Sequence, residues 1–375
     1  MHVHKTPLYN AHVQLGAKMV DFAGWMLPLW YPTGQSREHH ATRQNCGLFD
    51  ICHMGEFEIT GTGAKTYLSR VLTNHVDRIV DGQALYNFML NDEGGVIDDC
   101  ILYRFNEERW MLVVNAANLH KDWNWLKKHA PGDVVLEDIS NQTVKIDLQG
   151  PKSPKLLSKW IDPSLLGSMK FFRVISYIYI DHIPVMVSRT GYTGEIGFEL
   201  YTDVGNGVDL WNLLLEDGDD CGLVPCGLGA RDTLRIEAGL PLHGHELVSD
   251  QIALGHPWEF VFDWEKSFIG KEALLEARNN GIKRHVIPFT LAGRRKAMPG
   301  WDVYCDDTCI GKVVSAVLSP TLENAPVGFL ESARPLQAGT AITCRQAGRD
   351  VCLEGEIREI PFVPLTARKK IINFL

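Results

Sequence analysis

Two adjacent aspartates stand inside an apolar stretch, "GGVIDDCILYRF", residues 94–105. Aspartate is depleted from strands and is almost never fully buried without a partner. Strand geometry sends neighbouring side chains to opposite faces. Asp99 is therefore expected on the face of Ile97, Ile101 and Tyr103, and Asp98 on the face of Cys100 and Leu102. Only one of the two then reaches a given pocket. Asp98, close behind "EGG", suits the hairpin rim, whereas Asp99 lies further into the strand. A carboxylate lining a cleft can hold a developing cation or accept a proton from an amine.

Other residue types could also do chemistry. Three glycines within Gly191–Gly197 of "SRTGYTGEIGFELY" allow a tight turn or close approach to a flat ligand. Glu199 follows, isolated between Phe198 and Leu200, and fits either a polar face or a ligand anchor. "CGLGARDTLRIEAGL" contains G-x-G, but Asp232 stands where a dinucleotide fingerprint needs its third glycine. Arg231 opens this helix against the helix dipole, which suits a carboxylate-binding role better than a capping one. His243, His245 and Glu246 in "HGHE" are too weak a pattern for a metal site, so none is expected. His39 and His40 adjoin on a helix and cannot both face one ion.

These residues need elements to position them. "SREHHATRQNCGLFD" (36–50) reads as a helix running into a turn, and "MGEFEITG" (54–61) as a half-buried strand. "GAKTYLSRVLTN" (63–74) has helical spacing. "ALYNFML", "VIDDCILYRF" and "RWMLVVNAAN", separated by "NDEGG" and "NEE", read as a β-meander, and a helix follows over 118–130. Beyond it, strands and helices mix without a repeating βαβ order, so the fold class is α+β. From about residue 285, short strands and turns suggest a small β-barrel or jelly-roll.

Composition narrows the class. A chain of 375 residues exceeds one ordinary core. It has no apolar run long enough for a membrane span. The nine cysteines are scattered and none forms CxxC, which suits reduced thiols better than disulfides or structural zinc. The net charge of −9 disfavours nucleic-acid binding. The sequence from Trp264 onward carries 16 Lys+Arg against 12 Asp+Glu, which fits either a local docking surface for something acidic or chance variation between surfaces. "MHVHKTPLYN" has no signal or transit character, so the expected location is the cytoplasm, unless a presequence has been removed.

The ordered motifs "TPLYNAHVQLGAKMVDFAGWMLP", "GLFDICHMGE", "GGVIDDCILY", "VVNAAN", "LQGPKS", "SRTGYTGEIGFEL", "CGLGARDTLRIEAGLPLHGHEL", "FIGKEAL" and "LSPTL" run from Thr6 to about Val363. Together they resemble the folate-dependent aminomethyltransferase family, the T-protein of the glycine cleavage system. The resemblance implies three domains in a ring around a central tetrahydrofolate cavity. Their expected extents are 1–53 plus 150–265, 54–149 with the catalytic acid, and 285–375. The essential acid falls on Asp99. Met54, Tyr86 and Asn115 fall where the family lines the pterin site, with Tyr192 beside them, and Glu199 and Arg231 fall at folate-contacting positions. The implied reaction moves an aminomethyl group from the lipoyl arm of a carrier protein (H-protein) to tetrahydrofolate. Ammonia and 5,10-methylenetetrahydrofolate are released, and Asp99 stabilises the cationic carbon or raises the nucleophilicity of the folate nitrogen.

The chain departs from the family in places. Cys52 replaces a serine, and Val314-Ser315-Ala316 replaces Thr-Ser-Gly before "LSPTL". "DQIALGHPWEFVFDW" (250–264) replaces a Pro-Leu-Glu-Ala-Gly-Leu-x-Trp segment near the family's cavity. His256, Trp258 and Phe260 are therefore candidates for the donor pocket. Trp258, Phe260, Phe262 and Trp264 either cage a methylated cation or pack by alternation in a strand. A cage would suit a relative that demethylates a small sulfonium, methylamine or aryl methyl ether donor with tetrahydrofolate. A third reading is a non-enzymatic folate-binding relative, but its Lys-Gly-Cys-Tyr-x-Gly-Gln-Glu motif is missing.

Overall fold

The computed structural model describes residues 3–375. The meander forms as the alternation predicts, with strands Gln83–Leu90, Val96–Arg104 and Arg109–Val114. Gly55–Thr60 and Val135–Asp138 extend it to five strands. Helices Ala64–Val71 and Leu119–His129 bring apolar stripes onto one face. Phe57, Leu68, Leu102, Trp110 and Leu126 are fully buried there. On the other face Tyr103, Met111 and Val113 meet Tyr201.

One detail departs from simple alternation. Met89 pairs with Asp98 but Leu90 pairs with Val96, so a bulge sits at Ile97. Ile97 consequently packs with Cys100 and Leu102, not on the face of Asp99 as expected. Such a bulge re-aims the side chains that follow it.

A six-stranded sheet runs in the order Val174–Ile180, Ile183–Ser188, Gly197–Asp203, Thr143–Gln149, Cys46–Asp50, Leu223–Cys226. Two placements differ from expectation. "CGLFD" is a central strand, not a turn, because all five of its residues are buried between partners. Strand Thr143–Gln149, at the end of the expected 54–149 extent, pairs in this sheet and not with the meander of that extent. Among the described residues, every strand pairing is antiparallel except two, Leu223–Cys226 on Cys46–Asp50 and His4–Lys5 on Trp25–Trp30. This is the α+β pattern.

Strands His285–Leu291, Ala325–Ser332, Thr308–Ser319, Asp302–Cys305, Ala341–Arg345 and Cys352–Ile357 close into a barrel. Closure removes the exposed edges of a sheet. The tail beyond it leaves the barrel. Ile371 is buried in the core of the six-stranded sheet, and Arg189 donates to the carbonyls of Ala367 and Lys369. All nine cysteines are free thiols, with only Cys309 and Cys352 exposed. No helix among the described residues is long and apolar enough to cross a membrane.

A buried polar hub ties these parts together. Glu237, on helix Leu228–Glu237, accepts from Arg43, from the Ser319 hydroxyl at 2.5 Å and from Thr321 at 2.8 Å. Arg43 also donates to Glu195 at 2.9 Å and to the Thr193 carbonyl at 2.6 Å, fixing the glycine-rich turn. Burial disfavours the charge on Glu237, but hydrogen bonds and attraction from His39, Arg43 and Ser319 prevail and pull it down to about 2. Removing one member of such a group strands a buried charge, at a cost of about 3–5 kcal/mol. Arg43→Met is expected to lose stability on that scale in urea unfolding; a loss below about 1 kcal/mol would show that the hub holds nothing together.

Candidate active site

Asp99 is half-buried and held from two sides. The Tyr86 hydroxyl, on the adjacent strand, donates to Asp99 Oδ2 at 2.9 Å. The Asn115 side-chain amide, just past strand Arg109–Val114, lies 3.0 Å from Asp99 Oδ1 and 2.9 Å from Asp98 Oδ1. Burial and then the neighbouring Asp98 push the Asp99 carboxyl up to about 7, against the opposing pull of Tyr86 and Asn115. Asp99 is thereby poised between acid and base at neutral pH.

Asp98 is not at the hairpin rim. It is fully buried on the helix side, where Asn115 N donates to it at 2.8 Å and Asn118 Nδ2 at 2.5 Å. Asp122, also fully buried, has no hydrogen-bond donor for either oxygen. Burial and then Asp98 raise its carboxyl to about 11, so it is neutral at physiological pH. The pair thus divides by face: Asp98 anchors an internal asparagine network and Asp99 looks outward.

Glu199 is not isolated. Its Oε2 accepts from Thr190 at 2.7 Å, Tyr201 at 3.0 Å and Tyr103 at 3.1 Å, and Lys145 Nζ lies 3.5 Å away. Burial opposes its charge, but Lys145 and the hydroxyls hold its pKa below the ordinary value. Met54 joins this cluster through its sulfur, 3.6 Å from Lys145 Nζ. Arg231 Nη1 pairs with Asp147 Oδ2 at 3.2 Å, and its guanidinium lies over the Tyr192 ring, 4.7 Å from the centroid. The Tyr192 hydroxyl donates to the Pro241 carbonyl.

Lys145 and Asp147 were not among the expected site residues. Their signal is the same as that of the aspartate pair: charges at alternate positions of an apolar strand, "TVKIDLQ". Alternation alone assigns such residues to a wet face. Here that face is buried, with Asp147 directly opposite Glu199. The glycine turn serves this strand as well. A Cβ at Gly191 would lie 2.3 Å from the Gln149 amide and one at Gly197 2.4 Å from it. Gln149 in turn donates to Asp147 at 2.6 Å.

The segment 250–264 forms neither a strand nor a cage. It is a chain of turns around a short 3-10 helix, Glu259–Val261. Trp258 is 3 % exposed, donates to the Gly239 carbonyl at 2.9 Å and packs on Phe329 of the barrel. Phe262 is buried against Phe88 and Phe268, and Trp264 carries the Arg278 guanidinium. His256 is buried behind Phe88, and burial lowers it to about 4. Only Phe260 keeps a candidate's position. It is 64 % exposed, with its ring 6.4 Å from that of Tyr86.

His243 bonds Asn118 and the Val96 carbonyl, while Glu246 pairs with Arg235 and Ser315. No group of three or more His, Cys, Asp or Glu among the described residues could hold a metal ion.

Residues 8–266 match the model of the GCVT N-terminal domain family. The chain is 42% identical to an aminomethyltransferase of Halalkalibacterium halodurans, over 90% of this chain and 92% of that protein. It is 39% identical to an aminomethyltransferase of Halothermothrix orenii, over 96% and 99% respectively. Among solved structures, the glycine cleavage system aminomethyltransferase T from Bartonella henselae superposes with a TM-score of 0.88 at 31% identity, covering 98% of this chain and 100% of that one. A match of this extent, on a fold that brings Tyr86, Asp99 and Asn115 together, shows that the chain belongs to the GCVT aminomethyltransferase family.

Proposed function

We propose that this chain moves an aminomethyl group from the lipoyl arm of a carrier protein to tetrahydrofolate, releasing ammonia and 5,10-methylenetetrahydrofolate in the cytoplasm. The observation that carries the reading is Asp99: a half-buried carboxyl gripped by Tyr86 and Asn115 and balanced near neutrality. Bound tetrahydrofolate supplies the nucleophilic nitrogens and accepts the one-carbon unit.

The donor set fits that molecule. The contacts to Glu199 described above all fall on Oε2, leaving Oε1 for the N–H groups of a pterin edge. Arg231 is the cation suited to a carboxylate tail. Tyr192, under the Arg231 guanidinium, and Phe260, near Tyr86, offer aromatic faces. Asp99, when ionised, stabilises positive charge developing at the transferred carbon and accepts a proton from the attacking amine. Tyr86 and Asn115 fix its carboxyl plane, so that no reorientation is needed during transfer.

The packing of Trp258, Phe262 and Trp264 weighs against a small methylated cation as donor, because three of the four rings of a cage are committed elsewhere.

Incubation of the protein and tetrahydrofolate with aminomethylated lipoyl carrier is expected to yield ammonia and methylenetetrahydrofolate. Methyltetrahydrofolate formed instead from a methylated donor would overturn the reading. Asp99→Asn should lower kcat/KM by roughly 10²–10⁴-fold, and a loss under about threefold would remove Asp99 from catalysis. Because the ionised form acts, kcat at saturating tetrahydrofolate should climb as pH rises through about 7 and then level. That limb should vanish in Asp99→Asn; a limb unchanged by the substitution would assign it to another group.

A further inference from the structure

Strand Thr143–Gln149 turns Lys145 and Asp147 to the same buried face, opposite Glu199 and beneath Arg231. Four charges meet there, two of each sign. They are unequal in how firmly they are held. Glu199 has three hydroxyl donors as well as Lys145. Arg231 has one ion pair, a single contact at 3.2 Å. That is longer than the 2.7–2.9 Å of a good charge-assisted bond, and it is not bidentate. Its side chain is 15% exposed while that of Asp147 is fully buried. Among the described residues the Arg231 guanidinium makes no second hydrogen bond, so most of its fork is free.

We propose that Asp147 is a built-in stand-in for a ligand carboxylate: it occupies Arg231 in the free protein and releases it, taking up a proton, when the carboxylate tail of a folate engages the guanidinium. The inference rests on the folate reading above and concerns residues that the reading does not itself require. Its physics is charge compensation. Once Arg231 turns to the ligand, Asp147 faces the ionised Glu199 with Lys145 as its remaining counter-charge. A buried carboxyl so placed protonates in preference to staying charged.

The surroundings supply no replacement cation. Gln149 donates to Asp147 Oδ1 from the same strand. Strand Cys46–Asp50 presents Phe49 opposite it, and Leu223–Cys226 brings only the Cys226 thiol, itself raised by burial. His53, near Arg231 and Lys145, is lowered to about 3 by burial and then by Arg231, so it stays neutral. Asp147 is already close to the balance point: burial and then Glu199 raise it to about 7, against Arg231 and Lys145. Losing part of the Arg231 attraction moves it upward. The sign follows. Ligand binding carries a proton in, so affinity for a carboxylate-bearing ligand falls as pH rises above about 7, with a limiting slope of about tenfold per pH unit for one proton.

Calorimetry at about pH 7.5, in two buffers of different ionisation enthalpy, reads this directly. The probes are a reduced folate with its glutamate tail and the same reduced pterin without it. Uptake of about half a proton or more is expected with the tailed ligand, and none with the tail-less one. Asp147→Asn should bind the tailed ligand with no proton uptake and with affinity independent of pH over 7–9. A tailed ligand that binds the unaltered protein without proton uptake would overturn the proposal, as would equal uptake in Asp147→Asn. The comparison of two ligands on the unaltered protein decides even if the variant misfolds. Failure of both ligands to bind would overturn the folate reading along with this one.

Discussion

The arrangement of the site depends on one asparagine. Asn115 closes the end of strand Arg109–Val114 and places its side-chain amide between two carboxylates that strand geometry sends to opposite faces. Its backbone N–H and its side chain satisfy Asp98, which has no access to water. Its reach to Asp99 fixes the outward carboxyl. Without that bridge, Asp98 would be a buried carboxyl short of donors, and Asp99 would be held by Tyr86 alone. The adjacent aspartates are thus a divided pair: one is spent on holding the support, and the support holds the other.

The same logic recurs wherever this chain buries charge. Glu237 is surrounded by Arg43, His39, Ser319 and Thr321, and Glu199 by three hydroxyls and Lys145. Burying a charge is costly unless donors replace the water it loses. Each of these carboxylates therefore recruits partners from several elements, and the partners lock those elements together. The glycine turn is held in this way by Arg43 on one side and packed on Gln149 on the other. Arg231 has the fewest partners of these buried or half-buried cations, a single contact to Asp147, which fits a group that also has to answer to a ligand.

Much of this was legible in the sequence and some was not. The meander and its helices follow from alternation and helical spacing, and those local signals survived folding. Asp99, Tyr86 and Asn115 do meet, as the family resemblance implies. "CGLFD" did not read as a strand because its pairing partners lie about a hundred residues and more further along the chain. Ile97 broke the expected alternation at a bulge, which no residue in "GGVID" announces. Asp98 was misplaced because its donors, Asn115 and Asn118, come from another strand and turn. Lys145 and Asp147 carry no signal of their own burial in the sequence, and only the sheet that covers them makes them buried. The aromatic residues of 250–264 suggested a cage, yet Trp258 and Phe262 fill core space left between the meander and the barrel.

Asp99 is a perturbed carboxyl, raised toward neutrality by burial and then by Asp98 against the pull of its two donors. The most direct measurement is a pH titration of carboxyl carbons by NMR in aspartate-labelled protein, alongside Asp99→Asn. A resonance with its midpoint near about 7, missing from Asp99→Asn, is the predicted result. An Asp99 carboxyl that titrates at the ordinary aspartate value of about 3.9 would contradict it.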